Sequence, residues 1–138
     1  MNIEEHFRMA AIAAVSKKDW RGFLIGSVAI RNDGALVASC NGPAILYCEN
    51  KKRSFPEAHA EIRLSKKIDV GSTVFVVRVR KCDGQYGHAK PCKECRTVLK
   101  AKGVKRVYFT IGPTRYGVWK PGDDWIRIGK IRKPRIFK

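Results

Sequence analysis

Apolar positions at the start of the chain recur with a helical period. Ile3, Phe7, Ala10, Ala11, Ala14 and Val15 share one side, while Glu4, Glu5, Arg8, Lys17 and Lys18 take the others. That spacing predicts an amphipathic helix over 3–18, broken by Asp19 to Gly22. Phe23 to Ile30 is then largely apolar with β-branched content, Arg31-Asn32-Asp33-Gly34 supplies a turn, and Ala35 to Ser39 continues, which predicts a hairpin. Residues 41–55 read as irregular. Pro56 suits the first turn of a second helix and Glu57 favours the same end through the helix dipole, so this helix is expected to run to about Ile68. Thr73 to Val79 (TVFVVRV) is almost unbroken in apolar character, the pattern of a strand buried on both faces. A loop over 81–90 follows, then a third helix opened by Pro91 and stopped at Lys102-Gly103, then a strand over Val104 to Thr110. The stretch after Thr110 has no helical period and opens with a loop holding Tyr116 and Trp119, and Trp125, Ile126 and Ile128 predict one more strand, returning as a C-terminal β-hairpin. The element order implies an α/β fold: a mixed sheet of about five strands with helices on both faces. We read 1–138 as a single domain with a basic C-terminal tail over 129–138.

Composition narrows the class. A chain of 138 residues suffices for one core and is short for two. Hydrophobic residues make up 44%, which excludes a disordered basic tail protein, and no apolar run approaches the ~20 residues of a membrane-spanning helix. Glu4 and Glu5 stand where a secretory leader would be basic, so the expected setting is cytoplasmic, with no membrane association. The five cysteines (Cys40, Cys48, Cys82, Cys92, Cys95) are odd in number, which argues against a disulfide framework and for a reducing compartment. Lys and Arg number 29 against 12 Asp and Glu, a net charge of +17 that calls for an anionic partner or must be tolerated as self-repulsion.

Two short segments carry chemistry: His59-Ala60-Glu61 and Pro91-Cys92-Lys93-Glu94-Cys95. Cys92 and Cys95 lie three apart at the start of a helix, so their sulfurs share a face, and the helix N-terminus lowers their thiol pKa. His59 opens the preceding expected helix. Helices packed on one side of a sheet after consecutive parallel strands bring such N-termini together. One nitrogen and two sulfurs leave the fourth position of a tetrahedral zinc open, as a catalytic site needs. Residues 59 and 61 point about 200° apart on a helix, so both serve one site only if the helix end faces it. A carboxylate there can take a proton from a zinc-activated water and pass it on.

His59-Ala60-Glu61 followed, after 29 intervening residues, by Pro91-Cys-x-x-Cys95 resembles the zinc-dependent cytidine and deoxycytidylate deaminase superfamily. The element order from Ile3 to Thr110 resembles that family's core as well, and the resemblance implies its three-layer cytidine-deaminase-like fold. It further implies one catalytic Zn²⁺ held by His59, Cys92 and Cys95, with Glu61 shuttling protons while a zinc-activated water attacks C4 of cytosine and ammonia leaves. By the same resemblance the backbone N–H of Ala60 and the carbonyl of Lys90 hold the base, and Asn41 meets the sugar or base. Tyr116 and Trp119, expected in a loop at the pocket mouth, are candidates to stack on the base, flanked by Arg115.

Other readings stand beside these. Cys92 and Cys95 could join Cys82 and His88 in a closed structural zinc site, which would leave His59 and Glu61 unexplained. Asn41 suits a turn before Gly42-Pro43, and Trp119 a cover over the sheet edge. The features also mix branches: the C-terminal hairpin resembles free-nucleoside and toxin-like members, yet free-nucleoside enzymes commonly supply only cysteines where this chain has His59. Arg127, Lys130, Arg132, Lys133, Arg135 and Lys138 crowd the end of the chain, and a basic groove beside a base pocket suits a single strand. The expected substrate is therefore a cytosine-containing nucleotide such as dCMP, or single-stranded DNA or RNA. The alternatives are an adenine or guanine deaminase of the same superfamily and a non-catalytic zinc-bearing nucleic-acid binder. Domains of this kind often form homo-oligomers, of a size the sequence does not fix.

Overall fold

The computed structural model describes residues 3–15, 23–40, 42–43, 57–58, 67–80, 85–91, 93–121 and 125–132. Helix α1 (Ile3–Val15) precedes strands β1 (Phe23–Ile30), β2 (Leu36–Cys40), β3 (Gly42–Pro43), β4 (Glu57–Ala58), β5 (Thr73–Arg80) and β6 (Tyr86–Gly87). Helix α2 (Lys93–Ala101) leads to β7 (Arg106–Gly112), β8 (Arg115–Lys120) and β9 (Trp125–Lys130). The main sheet has the order β2-β1-β5-β7-β8-β9, with β6 paired to β5. Among the described residues of this sheet only β5 and β7 run parallel, joined through α2, and the other pairs are antiparallel. The sheet is mixed, as expected, with more strands than the five expected.

Each half of the alternation in β5 serves a different core. Phe75, Val77 and Val79 join Phe7, Ala10, Ala11 and Ala14 of α1, together with Tyr86 and Tyr108. Val74 and Val76 join Leu99 of α2, Val107, Phe109 and Trp119. Helices thus cover both faces, and the unbroken apolar run of β5 follows from that. Gly26 lets α1 approach closely, since a Cβ there would collide with the Ala10 carbonyl and with Ala14. Helix α2 stops where its sequence says it should. Gly103 has φ +77°, its N–H donates to the Lys100 carbonyl (3.0 Å), and the Val104 N–H donates to Leu99 (3.3 Å).

Two expectations need correction. Residues 115–120, expected in a loop, form β8, and β7, β8 and β9 make an antiparallel meander rather than one returning strand. In β8 Tyr116 and Val118 pack on the α1 side and Trp119 on the other, so both faces are filled and no simple polar alternation marks the strand. The expected start of the second helix also fails at Glu57–Ala58, which pair with Pro43 and Gly42 as a two-residue ladder that overrides their helical preference. The body of that expected helix, 59–66, lies outside the described residues.

Candidate active site

The end of the sheet where β5 and β7 finish is built to receive the start of α2. These strands pair from Thr73↔Arg106 to Val76↔Phe109, and beyond that β6 packs against the end of β5. Thr110 fastens this insert. Its Oγ1 donates to the Gly87 carbonyl at 2.8 Å and accepts the Arg78 N–H at 3.4 Å, and the Ala89 N–H donates to the Thr110 carbonyl at 2.8 Å. Thr110 is fully buried, so these bonds satisfy a hydroxyl that would otherwise be costly inside. Sequence reading placed Thr110 only as the end of a strand; the signal was one polar residue closing an apolar run.

From this anchor the chain passes buried Ala89, exposed Lys90 and buried Pro91 into α2. Cys95 lies in the first turn of that helix with no exposed surface. The structure therefore brings Lys90 and Cys95 to the C-terminal end of the parallel pair, where α/β sheets place their ligands. Arg115 joins them there: it follows directly on the end of β7, opposite Gly112, and is exposed. His59, Ala60, Glu61, Cys92 and Asn41 lie outside the described residues, as does Cys82 of the alternative closed site. His88, the other member of that alternative, is exposed, with its ring centroid 6.5 Å from that of Phe109 in an edge-on arrangement. Among the described residues no three His, Cys, Asp or Glu side chains form a metal-binding group.

The two aromatic candidates are not brought together. Trp119 is only 4% exposed and belongs to the α2-side core, so it serves packing and offers no open face to a base. Tyr116 points to the opposite face, where its ring lies 5.8 Å from Phe7 and 6.2 Å from Tyr108 and occupies the space a Cβ on Gly129 would need. Both were expected in a loop; strand pairing with β7 and β9 is what carries them inward instead.

The donors expected from the sequence, the imidazole of His59 and the thiols of Cys92 and Cys95, would suit a borderline-soft divalent ion such as zinc, and of these the structure describes Cys95, buried in the first turn of α2. Residues 1–111 match the family described as cytidine and deoxycytidylate deaminase zinc-binding region, a span that includes both motif segments. The chain belongs to that family. Among solved structures it is similar to the dCMP deaminase from the cyanophage S-TIM5 in apo form, with TM-score 0.54 and 19% identity over 79% of this chain and 82% of that one. It is similar as well to the cytidine deaminase from Mycobacterium leprae (TM-score 0.56, 20% identity, 89% of this chain and 96% of that one). The cytidine deaminase from Burkholderia pseudomallei gives TM-score 0.56 and 19% identity over 94% of this chain and 93% of that one. No curated protein matches the chain. Among the described residues no helix is long and apolar enough to cross a membrane.

Proposed function

We propose that this chain, acting as a single deaminase domain, catalyses zinc-dependent hydrolytic deamination of cytosine to uracil in a phosphate-bearing cytidine or deoxycytidine substrate. The observation that carries this reading is the family match over 1–111, which spans His59-Ala60-Glu61 and Pro91 to Cys95 and favours a pyrimidine over the adenine or guanine alternative. His59, Cys92 and Cys95 would hold the metal, which when bound brings the pKa of a water toward neutrality and so supplies a nucleophile. Glu61 accepts the water's proton and delivers it to N3 of the base; the next proton goes to the departing amino group. The water's oxygen bonds to C4, the C4–N bond breaks, and ammonia leaves, so that one water is consumed. The Ala60 N–H and the Lys90 carbonyl orient the base, Asn41 meets the sugar or base, and Arg115 stands near for phosphate.

The test compares cytidine, dCMP and a cytosine-containing oligonucleotide with the zinc-loaded protein and its Glu61→Gln variant. Removing the proton shuttle should lower turnover by about 10²–10⁴-fold while leaving bound zinc in place. Undiminished turnover by Glu61→Gln would overturn the mechanism. Zinc binding without turnover of any of the three substrates would favour the non-catalytic binder.

A further inference from the structure

On the α2 side the packing reaches β8 through Trp119 and leaves the face of β9 exposed. In the β8–β9 ladder Arg115 lies opposite Lys130, Gly117 opposite Ile128 and Trp119 opposite Ile126. Paired residues share a face, and Trp119 packs in the α2-side core, so this row lies on that side. Helix α2 packs through Leu99 over β5 and β7, whereas β9 leaves Ile128 65% and Ile126 40% exposed. On the opposite face Tyr116 covers Gly129, and Ile131 is buried beside α1.

The row has a direction. Its Arg115 and Lys130 end adjoins Gly112 at the finish of β7, one to two strand spacings, about 5–10 Å, from the strand whose Thr110 anchors Ala89 and the approach to Cys95. Both cations are exposed, and among the described residues neither has an acidic partner. Arg132, two residues on, is committed elsewhere: its guanidinium and its N–H bind Glu4 of α1 at 2.9–3.1 Å. Residues 95–138 hold thirteen Lys and Arg against two Asp, a surplus of eleven out of the chain's +17. A nucleotide monophosphate uses one or two cations. A row running from Lys130 through Ile128 to Ile126, about 14 Å long and leading away from a base pocket, exceeds what one nucleotide covers.

We propose that the open β8–β9 row is a docking track for single-stranded nucleic acid, in which Arg115 and Lys130 bind backbone phosphates beside the pocket and Ile128 and Ile126 floor the flanking bases. The place of the pocket rests on the deaminase reading; the binding does not. A single strand fits better than a duplex because it presents phosphates and unstacked apolar base faces together, as a mixed basic and aliphatic row requires.

The experiment measures fluorescence anisotropy of a homothymidine DNA strand of about 16 nucleotides, which offers no cytosine to react, against the full zinc-loaded chain over a salt series. Replacing Arg115 and Lys130 together by Gln should weaken binding about tenfold or more at low salt. It should also flatten the slope of log K against log salt by about 1.4, the contribution of two phosphate contacts on a single strand. The comparison pair is Lys102→Gln with Lys105→Gln, which removes the same charge from exposed sites at the opposite end of β7. That pair should leave the slope nearly unchanged. Equal losses from both pairs would mean that net charge alone attracts the strand, and would overturn the track. Equal or tighter binding of a duplex of the same length would overturn it too. So would an Ile128→Ala variant that changes the oligomeric state while binding as well as the parent. Turnover is not read, so failure here leaves the deaminase reading standing, and a Glu61→Gln protein that still turns over leaves the track standing.

Discussion

The two faces of the sheet are filled in different ways. On the α1 side, aromatic rings from α1, β5, β6, β7 and β8 meet one another: Phe75 stacks on Tyr108 at 4.7 Å and meets Phe7 edge-on at 5.6 Å, and Phe7 reaches Tyr116 at 5.8 Å. This packing continues past β9 through Ile131, and the Glu4–Arg132 bonds tie the last described residue to α1. On the α2 side the packing is mostly aliphatic, built on Val74, Val76, Leu99, Val104 and Val107, and it leaves β9 bare. Cys95 and the proposed track belong to this second side. The difference teaches that the two sides diverge at β8 and β9: on one, Tyr116, Gly129 and Ile131 pack toward α1, and on the other Ile126 and Ile128 are left exposed.

The sharpest way to break this division is to remove Cys95 while watching both faces. Cys95→Ser should lower zinc affinity by at least about 100-fold, read by metal analysis after dialysis against a weak chelator, with loss of deamination in parallel. The near-ultraviolet circular dichroism of the tyrosines on the α1 side should persist. A variant that keeps a full equivalent of zinc would remove Cys95 from the ligand set. Loss of the tyrosine signal as well would show that the two faces are coupled.

The converse experiment strikes the α1 side. Phe75 is fully buried between Phe7, His6 and Tyr108, so Phe75→Ala removes ring contacts and opens a cavity. The expected cost is about 3–5 kcal/mol, read as a lower urea midpoint. Ile128→Ala, on the open row, should change stability by no more than about 0.5 kcal/mol. A similar cost for both would mean that β9 is covered in solution and that the asymmetry between faces is not real.

Much of this division is readable from residue order, and the exceptions have one physical cause. The period of Ile3, Phe7, Ala10, Ala11 and Ala14, the Asn32-Asp33-Gly34 turn, the apolar run of β5 and the stop at Gly103 are local signals, and the structure follows each of them. β8 was missed because its pattern is set by neighbours. Gly117 sits where it does because the Phe109 ring fills the place of a Cβ, and Gly129 because Tyr116 does the same. Tyr116 and Trp119 carried a functional expectation for the same reason, since nothing local says that β7 and β9 will draw them inward. The motif segments needed no such help: donor types and spacing within His59 to Glu61 and Pro91 to Cys95 were enough to reach the family that the match over 1–111 establishes.

A smaller effect separates the faces at high pH. Tyr86 is buried on the α1 side, and burial pushes its phenol from 10.0 up to about 12, aided by Glu4 and opposed by Arg8. Its folded pKa lies above the unfolded one, so the neutral phenol's contribution is complete below pH 10 and is lost as the pH rises from 10 toward about 12. Urea midpoints measured at pH 8 and pH 11 should therefore fall less for Tyr86→Phe than for the parent. Equal falls would place the alkaline sensitivity elsewhere.

The smallest expected effect lies at the far end of β5, away from both the pocket and the open row. The Asn32 N–H donates to Asp69 Oδ1 at 3.2 Å, Ser72 Oγ lies 2.8 Å from the same oxygen, and Arg31 stands 3.6 Å from Oδ2. These donors, with the Asn32 bond foremost, hold the carboxyl below its ordinary value of 3.8. A depressed folded pKa contributes stability above the unfolded value, and that contribution disappears as the pH falls through the folded one. Asp69→Asn should accordingly lower the unfolding midpoint slightly at pH 6, and the parent and variant curves should converge below pH 3.8. Glu4, held low by Arg132, adds a second acid-sensitive contact with the same sign, so Glu4→Gln should converge with the parent in the same direction. The two substitutions differ in what else they touch. Glu4 fixes the chain just after Lys130, whereas Asp69 closes the turn before β5, so Glu4→Gln should also weaken binding along the open row and Asp69→Asn should leave it unchanged. If both substitutions altered strand binding equally, the row would be responding to overall charge and the contrast between the faces would lose its functional meaning.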